Sequence, residues 1–150
     1  MASISGFEII ERLHASSNSI VYRARHIEDG RPAILKMLEE AYPSPERIAW
    51  FRREYEVTKS LAGVPGVIGV RALHSEQNRW IMELEDFGGA SLSRALAERA
   101  LDPAEVGEIA ISIARTLGGL HERGVIHRDV NPSNLIYHRE SRTLKLIDFG

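Results

Sequence analysis

Cysteine is absent from the 150 residues, which removes disulfides, zinc–thiolate centres and thiol nucleophiles from consideration. A surplus of positive charge is missing too. Nineteen lysines and arginines face 21 aspartates and glutamates, for a net charge of −2. Neither nucleic acid nor an anionic bilayer is therefore expected as the main partner. No apolar run approaches the roughly 20 residues that cross a bilayer. Met1 to Phe7 lack the basic-then-apolar order of a secretory leader. Internal repeats and low-complexity segments are absent, and His14, His26, His74, His121 and His138 show no metal-ligand spacing. What remains is ordinary globular material, 43% apolar and 27% charged, long enough for one domain or two small lobes around a core. The expectation is a soluble, cytoplasmic protein with no membrane insertion.

The first 40 residues read as strands. Phe7–Leu13, Ile20–Arg25 and Pro32–Leu38 are rich in β-branched and apolar residues and are separated by polar turns, as in an antiparallel meander. A helix follows, capped by Ser44 with Pro45 at its first position and running to about Leu61, where Gly63-Val64-Pro65-Gly66 breaks it. Two more strands are expected near Val67–Leu73 and Arg79–Leu84. Glu85-Asp86-Phe87-Gly88-Gly89 then reads as a hinge. Asp102-Pro103-Ala104-Glu105 combines a cap, an N-terminal proline and a reciprocal glutamate, a strong helix start. Val106, Ile109, Ala110, Ile113, Leu117 and Leu120 give that helix one buried face, and Gly124 ends it. Leu135–Tyr137 and Leu144–Ile147 flank a turn and read as a hairpin. Trp50 and Trp80 are expected as core or interface aromatics.

A few polar residues interrupt or end apolar segments. Lys36 lies within Pro32–Leu38, and a buried ammonium needs a partner. Glu54 and Glu56 both follow in the helix, about 200° apart around its axis, so only one can face the sheet. Glu54 is favoured because it shares its face with Trp50, Val57 and Leu61; the alternative is a weak surface pair. In His127-Arg128-Asp129-Val130-Asn131-Pro132-Ser133-Asn134, an aspartate and an asparagine stand five residues apart in a turn-rich loop. Phosphoryl transfer needs a carboxylate near the acceptor hydroxyl and oxygen ligands for Mg2+. Asp129 can fill the first role, and Asn134 and Asp148 the second. Taken singly, Asp129 and Asn134 could simply build a turn.

Together these residues resemble the eukaryotic-type protein kinase domain. His127-Arg128-Asp129 with Asn134 resembles its catalytic loop, Asp148-Phe149-Gly150 its metal-binding motif, and Ala33-Ile34-Leu35-Lys36 its strand-lysine motif. The resemblance runs from about Phe7 to Gly150, in order. Val21-Tyr22-Arg23-Ala24-Arg25, Glu85–Gly89 and the 127–134 segment are also similar to the N-terminal serine/threonine-kinase-like domain of large bacterial multi-sensor signalling histidine kinases. The implied fold is α+β and protein-kinase-like. It comprises an N-terminal lobe over 1–86, with a five-stranded antiparallel sheet and one helix, and an incomplete, mainly helical C-terminal lobe over 87–150. The hinge would lie at about 84–88 and the catalytic loop at 127–134.

The resemblance also implies roles. Lys36 would hold the α- and β-phosphates of ATP and pair with Glu54. Asp129 would orient or deprotonate the acceptor hydroxyl, and Asn134 and Asp148 would bind Mg2+. Ser16, Ser19, Val21, Ala33, Glu85 and Asn131 would contribute to the nucleotide site. Arg128 would meet a phosphorylated activation loop, while His127 and Phe149 would be packing elements. The implied partners are ATP and either a protein substrate or adjoining signalling domains, with no nucleic acid.

Three departures qualify this picture. The phosphate loop has no glycine: His14, Ser16 and Ser19 stand at the positions glycine usually holds. Asn131 replaces the lysine that usually steadies the transferred phosphate. The sequence stops at Gly150, so a partial lower lobe with exposed apolar surface is expected. Two alternative functions follow. One is a nucleotide-binding pseudokinase or regulatory module. The other is a small-molecule kinase of the aminoglycoside-phosphotransferase type, which tolerates a residue other than lysine at the position of Asn131.

Overall fold

The computed structural model describes residues 4–39 and 42–149; Gly150, the last residue of the Asp-Phe-Gly motif, lies outside them. The chain forms two compact units, one of Met1–Glu56 with Gly69–Asp86, the other of Val57–Ile68 with Phe87–Gly150.

The first unit is built on five antiparallel strands, β1 (Phe7–Ala15), β2 (Ser19–His26), β3 (Pro32–Leu38), β4 (Val70–Glu76) and β5 (Arg79–Glu85). Their order in the sheet is β1-β2-β3-β5-β4. Alternation along the strands divides their side chains between two faces. One face carries Phe7, Ala24, Ala33, Leu35, Met37 and Ile81, which with Ile4 form a buried apolar cluster. Lys36 belongs to the other face, opposite Val21 on β2 and Met82 on β5. Gln77 and Asn78, at φ 49° and 65°, make the two-residue turn between β4 and β5, left-handed geometry that suits the twist of a hairpin.

Helix α1 (Pro45–Ser60) starts with Ser44 accepting the Arg47 N–H, as expected. Its inward positions are Phe51, Glu54 and Thr58, continued by Leu61 beyond its end. This stripe turns Trp50 out into solvent, 74% exposed, so the expected sharing of a buried face by Trp50 and Glu54 is corrected.

In the second unit, α2 (Leu92–Glu98) and α3 (Pro103–Glu122) accompany a small sheet of β6 (Ala90–Ser91), β7 (Leu135–His138) and β8 (Thr143–Leu146). The β7–β8 hairpin was legible in sequence; the two-residue β6 and the short α2 were not. The capping box is present: Asp102 accepts the Glu105 N–H and Glu105 accepts the Asp102 N–H. The bond from the Glu105 amide holds the Asp102 carboxyl below its usual range. The buried stripe of α3 runs through Glu105, Ile109, Thr116 and Leu120. Val106 is exposed, as is Ala110, which corrects their expected place on that face. Glu105 is buried there because Arg99 and Arg139 both approach it.

The 57–68 segment belongs to this unit through backbone pairing: Leu146 N–H donates to Gly66 O at 2.7 Å and Ile68 N–H to Leu146 O at 3.1 Å. Gly66 has φ 82°, and a Cβ there would stand 2.0 Å from Thr116 Oγ1. Only glycine lets the segment lie this close to α3. The Arg123 guanidinium donates to the carbonyls of Ser60 and Ala62 at the end of α1, where a cation also complements the helix dipole.

Candidate active site

Chemistry-bearing residues gather in two groups, one in each unit. In the first, Lys36 Nζ donates to Glu54 Oε1 at 2.6 Å, with side chains only 14% and 12% exposed. β3 supplies the lysine at a position facing α1, and α1 supplies the glutamate from its inward stripe. Glu56 lies outside that stripe. A pair this far from water holds its geometry because separating it would leave a buried charge alone.

Val21, across from Lys36, shares its face. Ala33 does not: three residues from Lys36 on an extended strand, it points to the opposite face and is fully buried in the apolar cluster there. Ala33, which the resemblance implies in the nucleotide site, thus lies on the face away from the lysine, and Ile34 is the neighbour on the lysine's own face. Glu85 is engaged through both backbone and side chain. Its N–H donates to Gly69 O at 2.9 Å and its Oε1 accepts the Gly69 N–H at 2.8 Å, so that amide is not a donor for a bound base.

Ser16 and Ser19 meet in the β1–β2 turn. Ser16 N–H donates to Ser19 O at 2.9 Å, while Ser16 Oγ accepts from the N–H groups of Asn18 and Ser19 at 3.3 and 3.2 Å. The Ser16 hydroxyl oxygen thus takes the Asn18 and Ser19 amides for itself. Asn18 is also bound by Arg47 of α1.

One ion-pair set in this unit was not read from sequence. Arg23 Nε donates to Asp86 at 2.7 Å and its NH1 to Glu11 at 2.8 Å. Burial works against the charge on Arg23, but bonds to Asp86 and Glu11 outweigh it and raise its pKa. The set ties β2 to the start of the 85–89 segment.

In the second unit, His127 is buried, with Nε2 at 2.7 Å from Ile147 O and Nδ1 accepting the Asp129 N–H at 3.2 Å. Because Nδ1 accepts, the ring proton is on Nε2, which donates to the carbonyl. Phe149 packs edge-on against the His127 ring at 5.1 Å between centroids. Both rings pack together, and His127 in addition ties the loop to the end of β8 through its two hydrogen bonds. Ile147 N–H donates to Asn134 O at 3.0 Å. This pairing brings Asn134 and the residue after Ile147, Asp148, to the same end of the small sheet. Arg128 and Asp148 have φ 71° and 70°, each at a cost of about 1–2 kcal/mol for a residue with a Cβ. Strain of this kind gathers at functional sites.

Asp129 is held most closely. Asn134 Nδ2 donates to its Oδ2 at 3.0 Å and its carbonyl at 2.9 Å. Asn131 Nδ2 donates to its Oδ1 at 3.0 Å and its carbonyl at 3.2 Å. Asn131 also caps the 3-10 turn Pro132–Asn134, accepting the Ser133 N–H at 2.9 Å. With its amide nitrogen turned to Asp129, Asn134 presents its carbonyl oxygen elsewhere. That oxygen and the Asp148 carboxylate are the hard donors Mg2+ prefers, so the residues present fit the metal implied by the resemblance.

A family model of the protein kinase domain matches residues 7–150, and the chain belongs to that family. Over 149 residues the chain is 28% identical to ribosomal protein S6 kinase alpha-2 of Mus musculus, covering 97% of this chain and 20% of that protein. A probable serine/threonine-protein kinase of Clostridium perfringens is 29% identical over 146 residues, covering 96% of this chain and 21% of the relative. The chain spans about a fifth of the length of these curated relatives.

Proposed function

We propose that this chain carries ATP- and Mg2+-dependent transfer of a phosphoryl group to a serine or threonine hydroxyl of a protein, as part of a bacterial signalling protein in the cytoplasm. The observation that carries the reading is the Asp129 carboxylate held at both oxygens by amide donors, in a loop whose Asn134 oxygen and Asp148 suit Mg2+. Lys36, fixed by Glu54, supplies a cation for the α- and β-phosphates, and Val21 and Ile34 supply apolar surface on the same sheet face. The acceptor oxygen bonds to the γ-phosphorus as the bond to the β,γ-bridging oxygen breaks and ADP leaves. Asp129 orients the hydroxyl and receives its proton. Asn134 and Asp148 would hold Mg2+, which would supply positive charge to offset that of the phosphates.

In this reading 1–86 and 87–150 act as the two lobes, and Arg128 awaits a phosphorylated activation segment. The relative in Clostridium perfringens supports a bacterial setting, and the motif resemblance supports adjoining signalling domains. A second reading, a nucleotide-binding regulatory module without transfer, is favoured by the Ser16 hydroxyl that already occupies the amides of the phosphate loop. A small-molecule acceptor is the remaining alternative, favoured by asparagine in place of lysine at 131.

Thermal shift with ATP, with and without Mg2+, tests the nucleotide site. A Mg2+-dependent rise in Tm that Asp148→Ala abolishes is expected. No shift in folded protein would overturn ATP binding and the transfer reading with it. Binding without transfer to protein or small-molecule acceptors would favour the regulatory module.

A further inference from the structure

Asn131 stands where a phosphate-contacting cation would be expected, yet its hydrogen bonds lead elsewhere. A side-chain amide has two N–H donors and one carbonyl acceptor. Both donors of Asn131 have partners on Asp129, Oδ1 at 3.0 Å and the backbone carbonyl at 3.2 Å. Its carbonyl oxygen takes the Ser133 N–H at 2.9 Å. No donor remains to meet a phosphate oxygen, and the carbonyl would only repel one.

Asn134 does the matching work from the other side, donating to Oδ2 at 3.0 Å and to the same backbone carbonyl at 2.9 Å. The Asp129 carboxylate is gripped at both ends, each oxygen by a different amide, and rotation about its last torsion would break two bonds at once. A terminal carboxylate torsion is otherwise broad and soft.

We infer that Asn131 is a positioning residue for Asp129, its Nδ2 orienting the carboxylate while its Oδ1 caps the turn at Pro132–Asn134, and that it does not contact the transferred phosphate. The inference deepens the kinase reading and rests on it, since orientation matters to transfer only if Asp129 handles the acceptor hydroxyl. The two ends of one amide have separable duties, which makes them separable by substitution. Aspartate at 131 keeps an oxygen for the Ser133 N–H and is a good cap, but it has no donor for Asp129 and sets a second carboxylate beside it. Lysine at 131 supplies a cation and removes both the cap and the amide.

The test uses the full chain with labelled ATP as donor and casein as acceptor, following kcat, KM for ATP and Tm. Asn131→Asp is expected to lower kcat about 30-fold with KM for ATP within about 2-fold, and to leave Tm unchanged. Asn131→Ala should lower kcat similarly and Tm by about 3 °C through loss of the cap. Asn131→Lys should fall below the wild type. A kcat for Asn131→Asp within 2-fold of wild type, or an Asn131→Lys enzyme with higher kcat and lower KM, overturns the inference.

Side-chain amide NMR supplies a readout independent of turnover. The Asn131 Nδ2–H signals should move when Asp129 is changed to Ala, and their indifference overturns the inference by itself. Wild-type protein with no Asp129-dependent transfer, but with those signals coupled, would bring down the kinase reading and the catalytic purpose of the bond together. Normal transfer with an indifferent Asn131→Asp brings down the positioning role alone.

Discussion

The β1–β2 turn and the loop around Asp129 both lack what their family usually places there, and they fill the gap in opposite ways. In the turn, His14, Ser16 and Ser19 stand where glycines are usual, and Ser16 Oγ accepts the backbone N–H groups of Asn18 and Ser19. In the loop, a lysine is replaced by Asn131, whose amide donates to the catalytic candidate and sharpens its orientation. One substitution satisfies the backbone alone. The other satisfies the backbone and a functional side chain together. A missing motif residue thus says little until the partners of its replacement are known, because buried or clustered polar groups find partners in either case.

The contrast can be broken at several points, beginning with the largest effect. Asp129→Ala should reduce phosphoryl transfer by about 1000-fold while nucleotide-dependent stabilisation persists, measured by label transfer beside thermal shift. Retained transfer would show that the well-held carboxylate is a structural device. Next comes the buried pair of Lys36 and Glu54. Glu54→Leu strands Lys36 in a half-dry site and should cost about 3 kcal/mol in urea unfolding, whereas Arg142→Ala, which breaks an exposed pair with Glu108 at 2.6 Å, should cost under about 1 kcal/mol. Equal costs would mean that burial of the Lys36 pair is energetically unimportant.

Smaller still is the effect of freeing the turn. Ser16→Gly removes the internal acceptor and should tighten ATP binding by about 3-fold, read by titration calorimetry. Weaker binding would instead assign Ser16 to the ligand.

The smallest effect lies on the sheet face away from Lys36. Burial pushes the Glu83 carboxyl up, but hydrogen bonds from His26 at 2.9 Å and His74 at 3.2 Å outweigh this and lower its pKa below 4.5. Because the folded value lies below the unfolded one, Glu83 contributes stability above about pH 4.5, and loses it as pH falls through the folded value. Glu83→Gln should flatten that acid limb in denaturation followed from pH 6 to pH 3. An unchanged limb would exclude Glu83 as its source.

Much of the fold and several of the candidate residues' pairings were legible because their signals are local. Strand alternation, the capping box at Asp102 and Glu105, and the five-residue step from Asp129 to Asn134 all lie within one turn or one segment. Lys36 and Glu54 are 18 residues apart, but a lone cation inside an apolar strand creates a demand that the following helix was placed to meet. The misreadings share a cause as well. Ala33 was carried over by resemblance, without the period of two in a strand that sends it to the face away from Lys36. Trp50, Val106 and Ala110 lie at the margins of helical stripes, where a small rotation decides between core and solvent.

Sequence alone determined most of the longer strands and helices, which residues are candidates for phosphoryl chemistry, and that the 150 residues offer no thiol, because these follow from composition, period and chemical type. Tertiary structure decided the partners. Arg23 found Asp86 across 63 residues, Glu83 found His26 across 57, and Asn131 turned its amide to Asp129 and not outward. Such choices depend on distances between groups brought together by folding, and a hydrogen bond is made or lost within less than an ångström.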